Sequence, residues 1–330
     1  MNQNSAIHME IIDPDAPDAK EPITDVYSLA DRFLIFKPNG VYQGHLPEEI
    51  DKENSAPETK STYTKIYSVG SNNPYLARGF LQFIQLTGFS SNKEQVLNHL
   101  WETTRYLLNC EASLYYIYKE TLQRLPECDK KIEESKNKGF IPLFPTVPAL
   151  DEYIARFFLN AKHCLINIFK IFHTVLQVPD YGSKFDKYLA WFQQRKEQYL
   201  EIYAMLKDDL PWINDVRALR NAIEHPGDGQ SVEIRNITLL PGNKFSTPGW
   251  RYDLSRSKGR KQDFFSDVIM DINTILNNVL SFQETVAILC LNQALKDEKK
   301  PVRIYKREEA TESSRDAFII SFAENKNIKN

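Results

Sequence analysis

The chain has 330 residues, 42% of them hydrophobic and 26% charged, with a formal net charge of -3. That length suits two ordinary domains or one large one, and the composition excludes a disordered or collagen-like chain. A charge so close to neutral gives no global attraction to nucleic acid, so any such binding needs a local basic patch.

Residues 1–25 are rich in Asp and Pro and lack both the basic start and the apolar stretch of a secretion signal. They read as a disordered, solvated arm. Residues 26–148 read as an α+β region of unknown role, with short apolar runs such as Phe33 to Phe36 and a Pro-Asn-Gly turn at 38–40 predicting a few strands. An acidic stretch at 48–60 reads as a loop. Ser91 and Glu94 have the spacing of a capping box that opens a helix to about Arg124, with Pro126 as its stop. Leu97, Leu100, Trp101, Leu107, Leu108, Leu114, Tyr115, Tyr118 and Leu122 recur at three- and four-residue steps and predict its buried stripe.

Pro142, Pro145 and Pro148 interrupt helix and mark the expected boundary between two halves. Helical periodicity resumes over 151–177 and over 185 to about 207. A third helix is expected from about Pro211 to Pro226-Gly227, and a fourth over 264–295. The run from Cys164 to Val178 is the most apolar, but Asn167, Lys170 and His173 interrupt it, and it is too short to cross a bilayer. Residues 230–256 read as a β-hairpin turning at Pro241-Gly242-Asn243 and inserted before the last helix. The tail, 298–330, holds one short strand candidate at 317–322 and a frayed end. The expected fold is mainly α: an antiparallel four-helix bundle over 149–297 with an inserted β-hairpin, preceded by the α+β region.

Cys110, Cys128, Cys164 and Cys290 contain no C-x-x-C pair, which predicts reduced thiols in a cytoplasmic protein. The histidines His8, His45, His99, His163 and His173 show no metal-ligand spacing, and His163 and His173 read as structural. No Gly-rich phosphate loop and no nucleophile elbow is present.

Chemistry concentrates at Leu219-Arg220-Asn221-Ala222-Ile223-Glu224-His225-Pro226, at the expected end of the third helix. A histidine titrates near neutral pH and can give or take a proton, while an arginine fork holds phosphate oxygens. Asn221 and His225 are four apart and share a helix face, so Asn221 is placed to orient the imidazole. Arg220 and His225 are five apart, about 140° around the helix, so one chain does not complete a site from these two residues alone. The same residues also admit a purely structural reading, in which Arg220 pairs with Glu224 and His225 sits at the negative end of the helix dipole.

This segment resembles the R-x4-6-H motif of the HEPN superfamily, in the version with a polar residue after the arginine. The resemblance implies a metal-independent, cofactor-free endoribonuclease in which the motifs of a homodimer meet in one cleft, with Arg220, Asn221 and His225 in the catalytic positions. It further implies RNA as substrate, a role as a toxin or in phage defence or stress response, restraint by an antitoxin or regulatory protein, and no membrane association. Other members of the superfamily are non-catalytic RNA-binding or interaction modules, and nucleotide binding has been proposed for such bundles.

A basic stretch with two aromatics, Trp250, Arg251, Tyr252, Arg256, Lys258, Arg260 and Lys261, is the second candidate. Cations beside aromatic rings track phosphates and stack unpaired bases, although the same composition serves as a solvated hairpin-to-helix connection. Arg217, one turn before Arg220, reads either as an added phosphate contact or as surface charge.

Overall fold

The computed structural model describes residues 21–307 and 317–322, apart from positions 31, 57, 89, 142 and 258. Most of the expected arm (1–20), Pro142, Lys258 and the last residues, 323–330, expected to fray, therefore lie outside the described residues. The architecture mixes long helices with small antiparallel sheets.

β1 (Asp25–Leu29), β2 (Arg32–Lys37) and β3 (Gly40–His45) come first, followed by the single turn α1 (Pro47–Ile50) and β4 (Thr62–Tyr67). The four strands form an antiparallel meander, with Lys37 opposite Gly40 across the expected Pro38-Asn39 turn. Residues 21–25, expected as part of the arm, are instead held to the sheet: Glu21 accepts from the Asn39 side chain at 2.6 Å, and the Thr24 N–H donates to the Phe36 carbonyl at 2.8 Å. Next come α2 (Pro74–Leu76), a π-helical turn at Ala77–Leu81 and α3 (Gln82–Leu86). Asn73 caps their start by accepting from the Tyr75 and Leu76 amides, and Pro74 occupies the first helical position. At Gly79 a Cβ would lie 2.7 Å from Thr104 Oγ1, so only glycine lets this turn approach the next helix so closely.

That helix, α4 (Lys93–Glu134), corrects three expectations. Asn92, not Ser91, is its N-cap, and the Ser91 hydroxyl donates to Glu298 instead. Pro126 lies inside the helix on its exposed side. The helix continues past it to bury Cys128, so packing outweighs the lost amide donor. Leu97, Leu100, Trp101, Leu107 and Leu108 are buried, whereas Tyr115, Tyr118 and Leu122 are exposed.

α5 (Leu150–Leu176) follows its predicted span closely, and Ile154, Phe157, Phe158, Ala161, Leu165, Ile168, Phe169, Phe172 and Leu176, at helical spacing, are buried. The next two helices divide differently. α6 (Phe185–Gln193) stops early, and α7 (Leu200–Glu224) runs through Pro211 without interruption. Pro211 is exposed, while Ile202, Leu206, Leu210, Ile213 and Val216 bury the opposite side. An interior proline costs about 3 kcal/mol, less than that row contributes at roughly 1.5–3 kcal/mol per side chain.

β5 (Ser231–Arg235), β6 (Thr238–Leu240), β7 (Lys244–Ser246), β8 (Gly249–Asp253) and β9 (Lys261–Asp267) follow, with a short 3-10 turn at Ser255–Ser257. The predicted turn at 241–243 joins β6 to β7, with Gly242 and Asn243 at positive φ. A further sheet has the order β5-β8-β9, so residues 261–267, expected in part as helix, are strand. α8 (Val268–Asp297) begins only after Asp267, whose carboxylate accepts from the Ile269 and Met270 amides. β10 (Val302–Lys306) pairs with β11 (Phe318–Phe322), the strand expected in the tail.

α5 is the central helix, packed against α4, α7 and α8, and the α4–α5 face is the most extensive. One hydrophobic cluster runs from Leu29 to Ile304 and crosses the boundary placed near residue 148. The connection there is pinned by Asn236, whose amide bonds both backbone groups of Val147 at 2.7 and 2.8 Å. α8 is long and apolar enough to span a membrane, yet 61% of its most apolar window is buried, as befits a core helix. Arg78 and Gln82 both reach the nearly buried Glu284 on α8, tying the segment before α4 to that helix.

Candidate active site at the end of helix α7

Ala218, Leu219 and Ala222 anchor the last turns of α7 in the core, which turns Arg220, Asn221, Glu224 and His225 outward. His225 is the C-cap, and its amide donates to the Asn221 carbonyl at 2.8 Å. The buried Gln230 closes the helix end, its amide donating to the carbonyls of His225 at 2.8 Å and Asn221 at 3.2 Å. Those carbonyls would otherwise be orphaned by the helix terminus.

The His225 side chain is 74% exposed. Its Nε2 lies 3.8 Å from Glu224 Oε2, the same oxygen that pairs with Arg220 Nη2. Glu224 therefore stands between the cation and the imidazole. Asn221 does not orient the imidazole as its spacing predicts; its Oδ1 accepts from Arg220 Nη1 at 3.3 Å. Arg220 Nε is buried without a hydrogen-bond partner among the described residues, an unspent donor beside a guanidinium otherwise held on two sides.

Two further groups arrive from α5. Burial, followed by the charge of Arg220, holds the Lys162 amine below the usual lysine range, with Glu224 opposing. Burial and then Lys162 and Arg220 push His163 below the usual histidine range. Its ring stacks on Tyr106 with centroids 5.1 Å apart. Lys162 carries no sequence signal, because only the packing of α5 on α7 brings it to the motif. Arg256 arrives through the hairpin. Its amide donates to the Gly229 carbonyl at 2.8 Å, and its Nη1 would be 3.7 Å from a Cβ on Gly227. Among the described residues no carboxylate pairs with Arg256.

The remaining candidates of the basic stretch lie elsewhere and are largely spent. Trp250 is 1% exposed, packs on Phe158 and donates to Asp271 at 2.7 Å, so its face is closed to a base. Tyr252 is partly buried against Trp250, and burial raises its hydroxyl above the usual tyrosine range. Arg251 pairs with Glu233 and lies over the Phe265 ring, Lys261 pairs with Asp263, and Arg260 pairs with Asp215. Arg217 donates to the Ser183 carbonyl at 3.3 Å and faces Asp186, bracing the turn before α6. Arg217 and Arg260 line a cleft of about 720 Å³ together with Asp186, Asp208 and Asp215, so the carboxylates there outnumber the described cations. That balance repels a phosphate chain.

His173 bonds the Val178 carbonyl at 2.9 Å, as expected of a structural histidine, and all four cysteines are buried free thiols. Among the described residues no cluster of His, Cys, Asp and Glu is arranged to hold a metal ion. The class defined at this point is a mainly helical protein with small antiparallel sheets and a polar, solvent-facing helix end. No family model matches the chain, and no curated protein or solved structure is similar to it.

Proposed function

We propose that the protein is a HEPN-type, metal-independent endoribonuclease that cleaves RNA by attack of a ribose 2′-OH on the adjacent phosphate. In this reading α5, α6, α7 and α8 form the HEPN bundle, and α4 is packed onto α5. The observation that carries the proposal is the exposed His225 imidazole beside Glu224, with Arg220 on the other side of the same carboxylate. A proton-transfer group and a cation thus meet on a surface that an RNA backbone can reach.

His225 serves as general base toward the 2′-OH or as general acid toward the leaving 5′ oxygen. Arg220, released from Glu224 when a phosphate displaces the carboxylate, stabilises the charge of the pentacoordinate transition state. Asn221 holds the guanidinium, and Arg256 and Lys162 add positive charge beside the helix end. A second copy supplies the other half of the cleft, giving a homodimer that acts in the cytoplasm as a toxin or as a defence or stress effector under a restraining partner.

Cleavage of mixed RNA in EDTA, leaving 2′,3′-cyclic phosphate ends and lost in His225→Ala, is the expected result. A second reading, a non-catalytic RNA-binding or protein-interaction module, draws support from the ion pair that already occupies Arg220. RNA affinity without cleavage by the intact chain supports that module, and absence of both overturns each reading.

A further inference from the structure

A groove far from the motif in sequence lies between α4 and the first turns of α8, with a volume of about 390 Å³. Its walls are Tyr75, Leu114, Tyr115, Tyr118 and Met270, and Glu111 is its acidic member. Tyr115 and Met270 are 62% and 70% exposed, so the groove opens to solvent on that side. Tyr75 is fixed from behind, its hydroxyl bonding Asn277 at 3.2 Å.

Glu111 is the unusual element. Its Oε2 accepts from Asn73 Nδ2 at 2.7 Å, and Asn73 is itself locked because its other side-chain atom caps α2. The carboxylate is thus held in place, yet among the described residues no lysine, arginine or histidine pairs with it. Burial raises the Glu111 carboxyl above the usual glutamate range, with only the Asn73 bond opposing. A partly desolvated carboxylate without a counter-ion is costly, and a bound cation removes that cost. Tyr75, Tyr115 and Tyr118 line the same groove, and aromatic rings attract ammonium groups through their quadrupole. Of the possible occupants, an alkyl chain ending in an ammonium complements both the charge and the apolar walls.

We propose that this groove binds an aliphatic primary amine, with the ammonium at Glu111 among the tyrosine rings and the alkyl chain along Leu114 and Met270. The site does not depend on the ribonuclease reading. The ligand is defined by chemistry: one protonated amine on a saturated chain of a few carbons, either free or as part of a larger small molecule.

Calorimetric titration of the full chain with n-hexylammonium chloride, beside 1-hexanol as its uncharged counterpart, tests the proposal. Hexylammonium is expected to bind with Kd on the order of 1 mM, and hexanol about tenfold more weakly. Glu111→Gln, which keeps an acceptor for Asn73 and so preserves the fold, should weaken hexylammonium about tenfold and leave hexanol unchanged. Tyr118→Ala, on the exposed rim, should weaken it several-fold. Equal affinity for amine and alcohol, or an unchanged Kd in Glu111→Gln, overturns the site. No binding of hexylammonium, together with a concentration-dependent dimer that Tyr118→Ala dissociates, would instead assign the groove to a second copy of the chain.

Discussion

At the end of α7 the His225 imidazole is mostly in solvent and, among the described residues, faces one carboxylate, while Arg256 nearby pairs with none. Around β8 and β9, Arg251, Arg260 and Lys261 each have an acid of their own, and Trp250 has become part of the core. Both regions offer cations to a phosphate, and the one richer in cations and aromatic rings, residues 250–261, is the weaker candidate. What separates them is pairing and burial. A cation neutralised at contact distance contributes little to the field a phosphate feels, and an indole closed between a phenylalanine and a helix has no free face to stack on.

The largest expected effect lies on the helix end. His225→Ala should reduce RNA cleavage by about 10² to 10⁴-fold with the melting temperature unchanged, measured on a labelled oligoribonucleotide in EDTA. An equal loss from changes at the β8–β9 hairpin would reverse the ranking of the two regions. Trp250→Ala should destabilise the fold by about 3–5 kcal/mol, read from urea unfolding, because it empties a packed site and removes one of the donors to Asp271. A stable Trp250→Ala protein with impaired RNA binding would restore the tryptophan as a stacking residue.

The pH dependence sharpens the comparison on the α5 side. His99 and His163 are both depressed mainly by burial, so the folded state holds them neutral where the unfolded chain begins to bind protons. Their contribution is fully present above the ordinary histidine value of about 6.5 and is lost as pH falls below it, levelling off under the depressed native values. The urea midpoint should therefore drop between about pH 7 and 5, and His99→Gln should flatten part of that slope. A midpoint that rises over that interval contradicts the buried, neutral assignment. The smallest effect is expected from Arg260→Ala combined with Lys261→Ala: a change in stability within about 1 kcal/mol and an RNA affinity altered less than about twofold, by filter binding. A tenfold loss of affinity would show that the ion pairs open to RNA.

Element by element, the reading of the sequence succeeded where local pattern and tertiary burial agree. α5 was legible almost to the residue because a full row of apolar side chains repeats at helical spacing, and the 241–243 turn because Gly242 and Asn243 suit positive φ. It failed at Pro126 and Pro211, where a strong local breaker was overridden by burial of the opposite side of the helix, and at 261–267, where strand pairing with β8 claimed residues that also fit a helix. Tyr115, Tyr118 and Leu122 continue the stripe of α4 by spacing, but none of the described elements covers them.

By itself, the sequence determined the helical character of the second half, the placement of the Arg220 to His225 segment at a helix end and the inserted hairpin, because these follow from periodicity and turn chemistry within a few residues. Only the tertiary structure decided that Glu224 is shared between Arg220 and His225, that Asn221 serves the arginine, that Lys162 and Arg256 adjoin the motif, and that the hairpin cations are neutralised. The physical reason is that charge pairing and burial depend on distances between segments remote in sequence, and such distances are set by the packing of α5, α7 and the sheet rather than by local spacing.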